Sequence, residues 1–200
     1  MAWAQRANLE PNGLIHKMTL TQEIQRVKEE AVCLYNKAEV SEAIERMAAT
    51  ISDRLASRHP LLLSVLNGGI FITSELALRM DFPLEIDCVK AGRYQGATQG
   101  SEMIWSLEPR ISLHNRCVLI VDDILDEGIT LSEIARFCRE KGAAEVLTAV
   151  LVDKRLDKPK PITADFVGLE TENLYLFGYG LDYKNHLRNC AGIFACTQVY

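Results

Sequence analysis

The sequence predicts an α/β fold, a parallel sheet flanked by helices. Three observations carry this. Strand-length stretches dominated by apolar residues recur at Leu61–Leu66, Cys117–Val121 and Glu145–Val152. Segments with helical spacing of apolar residues follow two of them, at Ile70–Met80 and Thr130–Lys141. From residue 61 the order therefore reads strand, helix, strand, loop, strand, helix, strand, and such alternation implies parallel strands joined by crossover helices.

Each element has a local reason. Residues 1–40 begin polar and then show loose helical periodicity. Ser41 is predicted to cap a helix running to about Arg58, because Ile44, Met47, Ala48, Ile51 and Leu55 fall on one face. His59-Pro60 stops it. Leu61–Leu66, interrupted by Ser64, closes at Asn67-Gly68-Gly69, and Ile70–Met80 packs back on it. Leu84–Lys90 alternates apolar and polar, the pattern of a half-buried strand. Ala91–Arg110 is rich in Gly, Gln and Ser with little periodicity and is expected to be a long mobile loop, a kind of segment that is often functional. Cys117–Val121 is the clearest buried strand. Thr130–Lys141 follows as a helix ended by Gly142, and Glu145–Val152 is the next strand. The tail from Phe166 offers short strand-like pieces, Leu174–Gly178 and Gly192–Thr197, which predict a small cap beside the main sheet. The chain thus reads as one domain over 1–200, with a core over about 41–160 and a cap from about 161–200 plus part of 1–40.

Composition narrows the function. Two hundred residues that are 48% apolar suit one domain with a sizeable core, and exclude a disordered chain, a collagen-like repeat and a small disulfide scaffold. With 22 basic against 27 acidic residues the net charge is −5, which argues against a nucleic-acid partner held by phosphate neutralisation. No apolar run approaches the roughly 20 residues of a membrane span, and Met1–Asn12 has no apolar core of a signal peptide. Six cysteines without a C-x-x-C pair read as reduced thiols in a cytoplasmic protein. Only His114 with Cys117 and His186 with Cys190 have zinc-ligand spacing, and neither has a second pair nearby in sequence.

In an open parallel sheet, ligands bind beyond the carboxyl ends of the strands. After Cys117–Val121 comes Asp122-Asp123-Ile124-Leu125-Asp126-Glu127-Gly128-Ile129-Thr130. Aspartates at the exit of a buried strand are costly unless they meet water, metal or ligand hydroxyls. The glycine and the threonine that opens a helix can aim backbone N–H groups, a hydroxyl and a helix N-terminus at one anion. The segment therefore predicts a phosphate held next to groups suited to a sugar. Neither G-K-[ST] nor G-x-G-x-x-G is present. Taken alone, the residues also fit a plain acidic strand end with a helix cap.

The run Val118–Leu131 resembles the phosphoribosyl diphosphate (PRPP) motif of the type I phosphoribosyltransferases. Asp165-Phe166-Val167-Gly168, Gly178-Tyr179-Gly180-Leu181-Asp182-Tyr183 and Arg188 resemble the C-terminal part of the hypoxanthine-guanine group. Leu66-Asn67-Gly68-Gly69 is similar to its short pyrophosphate loop. These matches span residues 61–190. They imply the type I fold with a cap, or hood, and transfer of a ribose 5-phosphate group from PRPP to a 6-oxopurine with Mg²⁺. They imply that Asp126, Glu127, Gly128, Ile129 and Thr130 hold the 5′-phosphate, and that Asp122 and Asp123 serve the ribose hydroxyls and the metal side. Asp126 would also act at purine N7. Lys154 would read the 6-oxo group, Tyr175 would stack on the base, and Leu176 would offer it backbone groups. Asp182 would face Mg²⁺ together with Asp122, and would approach the purine 2-position through its backbone. Arg188 would meet pyrophosphate along with Asn67 and Gly68. A strained or cis peptide at Leu66–Asn67 is implied by the resemblance too.

Two positions depart from the family pattern. Asn67 stands where Lys is common, and Gly92-Arg93-Tyr94 stands where Ser-Tyr is usual. Arg93 is expected to supply the missing charge beside Tyr94, in a loop, Ala91–Trp105, that closes over the site. The resemblance further implies a homodimer or homotetramer. Two other readings stand beside the hypoxanthine-guanine one: a xanthine-preferring transferase, and a PRPP-sensing nucleic-acid-binding regulator on the same fold. Lys154, Tyr175, Asp182, Arg188 and the negative net charge favour the enzyme.

Overall fold

Local capping chemistry starts the two N-terminal helices. In the computed structural model, which describes residues 18–93 and 103–198, Thr19 and Gln22 form a reciprocal capping box that opens α1 (Leu20–Glu30). After β1 (Val32–Asn36) a second box opens α2 (Lys37–Leu55). Asn36 Oδ1 accepts from the N–H groups of Ala38 (2.9 Å) and Glu39 (3.2 Å), and the Glu39 carboxylate accepts from the Asn36 N–H at 2.8 Å. The helix thus begins ahead of Ser41, the predicted cap. Ser41 lies inside it, its hydroxyl accepting from Arg79 Nη2 at 3.2 Å.

The main sheet has six strands in the order β4-β3-β2-β5-β6-β7. These are β2 (Leu61–Val65), β3 (Glu85–Arg93), β4 (Met103–Leu107), β5 (Cys117–Leu125), β6 (Glu145–Lys154) and β7 (Phe166–Thr171). Neighbours run parallel except β3 and β4. α2 and α3 (Gly69–Ala77) cover one face, with Ile44, Met47, Ile51 and Ile72 against Leu62, Leu119 and Val121. α4 (Ile129–Glu140) covers the other, with Leu131, Ile134 and Cys138 against Leu61, Leu63, Val118 and Ile120. Burial on both faces explains why β2 and β5 read as continuous apolar runs rather than alternating ones.

Three further expectations need correction. The stretch read as one long loop, Ala91–Arg110, contains β4, which pairs antiparallel with an extended β3. Its burial alternates residue by residue, and Trp105 packs on Phe137 with ring centroids 4.4 Å apart. Residues 94–102, including Tyr94 and much of the expected closing loop, lie outside the described residues. β5 and β6 run further than their apolar runs, so Asp122, Asp123 and Lys154 stand on strands rather than after them. β7 lies at the edge of the main sheet, so the boundary expected at about 161 falls inside the core. Edge position and one exposed face leave it little apolar signal.

The cap itself is a three-stranded sheet, β1-β9-β8, formed by β8 (Leu176–Phe177), β9 (Gly192–Ala195) and the distant β1. α1 packs on it through Val27, which shares a small apolar cluster with Phe177 and Tyr183. Residues 20–36 are therefore part of the cap.

Candidate active site

The carboxyl ends of β2, β5 and β6 face the cap across a cavity of about 540 Å³. β5 delivers Asp122 and Asp123 from within the strand, and the turn that follows delivers Asp126, Glu127 and Gly128. Gly128 sits at φ +77°, a left-handed conformation that favours glycine, and a Cβ there would crowd Leu125 Cδ1 at 3.2 Å and Ile162 Cγ2 at 3.3 Å. The first turn of α4 starts from this glycine without a side-chain cap, so its N–H groups are presented toward the cavity beside Ile129 and Thr130.

β6 ends on Lys154, which is buried, its ammonium 3.0 Å from Asp126 Oδ2. Asp126 is half exposed, so the pair stands at the mouth of the strand ends rather than beneath them. Opposite, Tyr175 is 41% exposed at the cavity wall. Its ring meets the buried Tyr183 edge-on, with centroids 5.6 Å apart. Leu176 is buried at the start of β8.

On the β2 side, Leu66–Asn67 is a cis peptide bond, in agreement with the expectation drawn from the resemblance. Gly68 follows directly under Asp123. A Cβ at Gly68 would lie 1.9 Å from Asp123 Oδ2, so only glycine allows this approach. Arg188 spans the gap from the cap: Nη2 lies 2.5 Å from Asp182 Oδ1, and Nη1 donates to the Gly180 carbonyl at 2.5 Å and stands 3.8 Å from Asp123 Oδ2. Asp182 also accepts from the Asn185 N–H at 2.7 Å.

The electrostatics separate the two adjacent aspartates. Burial pushes the Asp122 carboxyl well up, and the neighbouring Asp123 charge adds to this. Asp123 is raised by burial but opposed by its hydrogen bond with Asp122 and by Arg188. Burial thus works against ionisation of both carboxyls, most strongly at Asp122.

Every other residue expected at the site lines this cavity, while Tyr94 and the Arg93 side chain lie outside the described part of the structure. Arg93 is the last residue of β3, with its backbone paired to Met103. The sequence reading missed the apolar lining, Ile124, Leu131 and Leu181. Period-two alternation along β5 could have found Ile124. Among the described residues, no group of three or more His, Cys, Asp or Glu side chains is arranged to hold a metal by itself, and no helix is long and apolar enough to cross a membrane.

Comparison with known proteins agrees with this geometry. The phosphoribosyl transferase domain family matches residues 33–184. Hypoxanthine-guanine phosphoribosyltransferase of Streptococcus pneumoniae (strain ATCC BAA-255 / R6) is 33% identical over 158 residues, covering 78% of this chain and 87% of the relative. The enzyme of that name from Bacillus subtilis is 31% identical over 159 residues, with the same 78% and 87% coverage. A hypoxanthine-guanine-xanthine phosphoribosyltransferase of Tritrichomonas foetus is 29% identical, covering 78% and 86%. Among solved structures, a hypoxanthine phosphoribosyltransferase from Trypanosoma cruzi superposes with a TM-score of 0.78 at 28% identity, covering 84% of this chain and 96% of the other. One from Staphylococcus aureus reaches 0.80 at 24% identity, covering 90% and 97%, a likeness of fold. On the family match and these relatives, the chain belongs to the phosphoribosyltransferase family, among the hypoxanthine-guanine phosphoribosyltransferases, and is a transferase.

Proposed function

We propose that this cavity transfers the ribose 5-phosphate group of PRPP to N9 of hypoxanthine or guanine, releasing pyrophosphate. The observation that carries the reading is the Lys154–Asp126 pair, 3.0 Å apart and next to the phosphate-type turn Asp126–Thr130. The 6-oxo group and N7 are neighbours on one edge of a 6-oxopurine. An ammonium offers only donors, so Lys154 suits the 6-oxo acceptor and opposes the amino group of adenine. Asp126 then faces N7.

In the transfer, the bond from N9 to the sugar C1′ forms as the C1′–oxygen bond to pyrophosphate breaks, and its electron pair leaves with pyrophosphate. The proton on N7 passes to the Asp126 carboxylate. Tyr175 stacks on the base, and Leu176 offers it backbone groups. The N–H groups of Glu127, Gly128, Ile129 and Thr130 take the 5′-phosphate, in an uncapped first turn suited to an anion. Asp122 and Asp123 meet the ribose hydroxyls. Arg188 faces pyrophosphate with Asn67 and Gly68, and Arg93 and Tyr94 belong to the same proposal. Catalysis on this reading is placement and electrostatics.

Mg²⁺ fits the donor set as a cation that comes with its diphosphate. Mg²⁺ sites of this kind use one or two carboxylates plus substrate phosphates and waters rather than an all-protein cage. Asp182 and Asp122 are oxygen donors on the two sides of the cavity, consistent with that pattern. The ion would neutralise charge on the leaving group. The free state of all six cysteines supports a reducing, cytoplasmic setting, and a homodimer or homotetramer is part of the proposal.

The test is initial rate with PRPP and Mg²⁺ against hypoxanthine, guanine, xanthine and adenine. Turnover of the first two is expected, reduced about 10²–10⁴-fold in Asp126→Asn and strongly reduced in Lys154→Ala. Preference for xanthine would keep the mechanism and overturn the specificity. No turnover despite PRPP binding, with retention of nucleic acid at physiological salt, would favour the regulator.

A further inference from the structure

The geometry points to Lys160 as a positioning residue for both Asp126 and Lys154, a role that rests on the reading of the site given above. Sequence makes Lys160 one more charge in a lysine-rich connection between β6 and β7. The structure gives it a different place. Its side chain is only 12% exposed and turns back under the ends of β5 and β6. The ammonium donates to the Leu125 carbonyl at 2.7 Å, to the Lys154 carbonyl at 2.5 Å and to Asp153 Oδ1 at 2.5 Å. An ammonium has three protons, and here all three are used.

The choice of acceptors matters. Leu125 is the last residue of β5 and is paired in register with Asp153 of β6. Past that pair the parallel ladder between these strands stops. The peptide leaving Leu125 leads into Asp126, and the peptide leaving Lys154 fixes the end of β6. Lys160 therefore links the two peptide groups at which the β5–β6 ladder ends, each adjacent to one member of the Lys154–Asp126 pair, and the second of them also holds β7, the Arg155 N–H donating to the Thr171 carbonyl at 2.7 Å. Its stem runs beside Gly128, where an added Cβ would lie 3.5 Å from Lys160 Cβ, so the same side chain also underlies the turn into α4. The Asp153 carboxylate offsets the cost of burying the ammonium. Lys160 touches neither base nor phosphate in this reading. It sets the spacing between the group that faces N7 and the group that faces the 6-oxo oxygen, and errors of about 1 Å in such spacing cost about 10²-fold in rate.

The test uses the full chain and Lys160→Met, which keeps the stem and removes the donors. Amide hydrogen exchange is compared with the unsubstituted protein, and kcat/KM is measured alone and in the Lys154→Ala background. Faster exchange over residues 125–130 and 154–156 is expected, together with a loss in kcat/KM of about 10–100-fold. That loss should shrink to a few-fold when Lys154 is already Ala. Lys160→Arg should restore part of the activity. Unchanged exchange in both segments overturns the proposal whatever the rates do, as does a loss carried in full into the Lys154→Ala background. If Lys160→Met fails to fold, Asp153→Asn replaces it, with the same pattern expected at smaller size and the same overturning results. Failure of the functional reading shows separately, as absence of turnover by the unsubstituted protein, and leaves the exchange measurement to decide on Lys160.

Discussion

The cavity has two walls built on different physical terms. The sheet-end wall carries Asp122, Asp123, Asp126 and Lys154 on β5, its exit turn and β6, strands that are paired in register through Leu125↔Asp153 and tied beyond that by Lys160. The cap wall carries Tyr175, Leu176, Asp182 and Arg188 on a small three-stranded sheet and the segment 178–190. In that segment Tyr179, Lys184, Asn185 and Leu187 all adopt positive φ, a conformation costing of order 1–3 kcal/mol per residue for side chains other than glycine. Such a segment keeps its shape only where its surroundings over-determine it. Those surroundings are the buried Leu181 and Tyr183, the Arg188 fork and α1. The difference teaches that, on the proposed reading, charge chemistry is set on the rigid wall and the base would be clasped by the wall that other elements must hold in place. Local opening free energies should be lower on the cap side.

The strongest break of this contrast is Gly68→Ala, where the rigid wall has no room. The new Cβ would meet Asp123 Oδ2 at 1.9 Å and Cγ at 2.2 Å. Asp123 can yield only by leaving Asp122 and Arg188, or the loop after β2 must shift. A stability loss of about 1–3 kcal/mol is expected, with a larger activity loss than Glu23→Ala or Asn36→Ala. Thermal melts and initial rates on the same samples check it. Gly92→Ala is the control for the melts, since nothing among the described residues lies within 4 Å of its added Cβ and its stability should change little.

The two walls also differed in how far they could be read from sequence. The sheet-end wall was legible because a doubly buried strand is a continuous apolar run, and acidic residues at its end stand out by their desolvation cost. The family resemblance then supplied roles for Asp126 and Lys154 that spacing alone does not. The cap was half legible. Short strand pieces near 174–178 and 192–197 were visible, but β1 was not, because it pairs with β9 from the other end of the chain and exposes Val32 and Cys33. β4 was missed because five alternating residues in a Gly- and Gln-rich stretch give a weak signal. Lys160 was not singled out by the sequence. Its acceptors are two backbone carbonyls and one carboxylate, and carbonyls leave no trace in sequence.

The cap wall can be loosened from outside the cavity. Glu23 of α1 accepts from the Tyr183 hydroxyl at 2.6 Å and from Lys184 Nζ at 2.6 Å, and Tyr183 in turn supports Tyr175 edge-on. Glu23→Ala should raise KM for the base several-fold and leave KM for PRPP nearly unchanged, because the phosphate turn belongs to the other wall. Glu23→Gln keeps an acceptor for Tyr183 and should lose less. The Lys184 hydrogen bond, with that of Tyr183, holds the Glu23 carboxyl below its ordinary range. For an acid whose folded pKa is depressed, the stabilisation is fully present above the unfolded pKa and is lost as the pH falls through the folded one. The gap in melting temperature between the natural chain and Glu23→Ala should therefore be constant near neutrality and close at acid pH. A gap that stays open once Glu23 is protonated would assign its effect to packing, and a rise in KM for both substrates would deny the division between the walls.

The smallest expected effect lies at the joint between the two regions. Asn36 ends β1, where it pairs with Gly192 of the cap, and caps α2, the longest core helix among the described residues. Asn36→Ala removes the side-chain acceptor for the Ala38 and Glu39 N–H groups, which costs about 1 kcal/mol. The backbone pairing with Gly192 does not depend on the side chain, so kinetics for both substrates should change little. Ser41→Ala is the informative partner, since Ser41 is the residue that helical periodicity nominates as the cap. Its hydroxyl accepts from Arg79, which keeps partners in Glu45 and Glu75, so its loss should cost less than that of Asn36. Denaturant melts of the two variants rank them directly. The reverse ranking would mean that α2 gains its stability from Ser41 onward, and that residues 37–40 belong energetically to the cap rather than to the core.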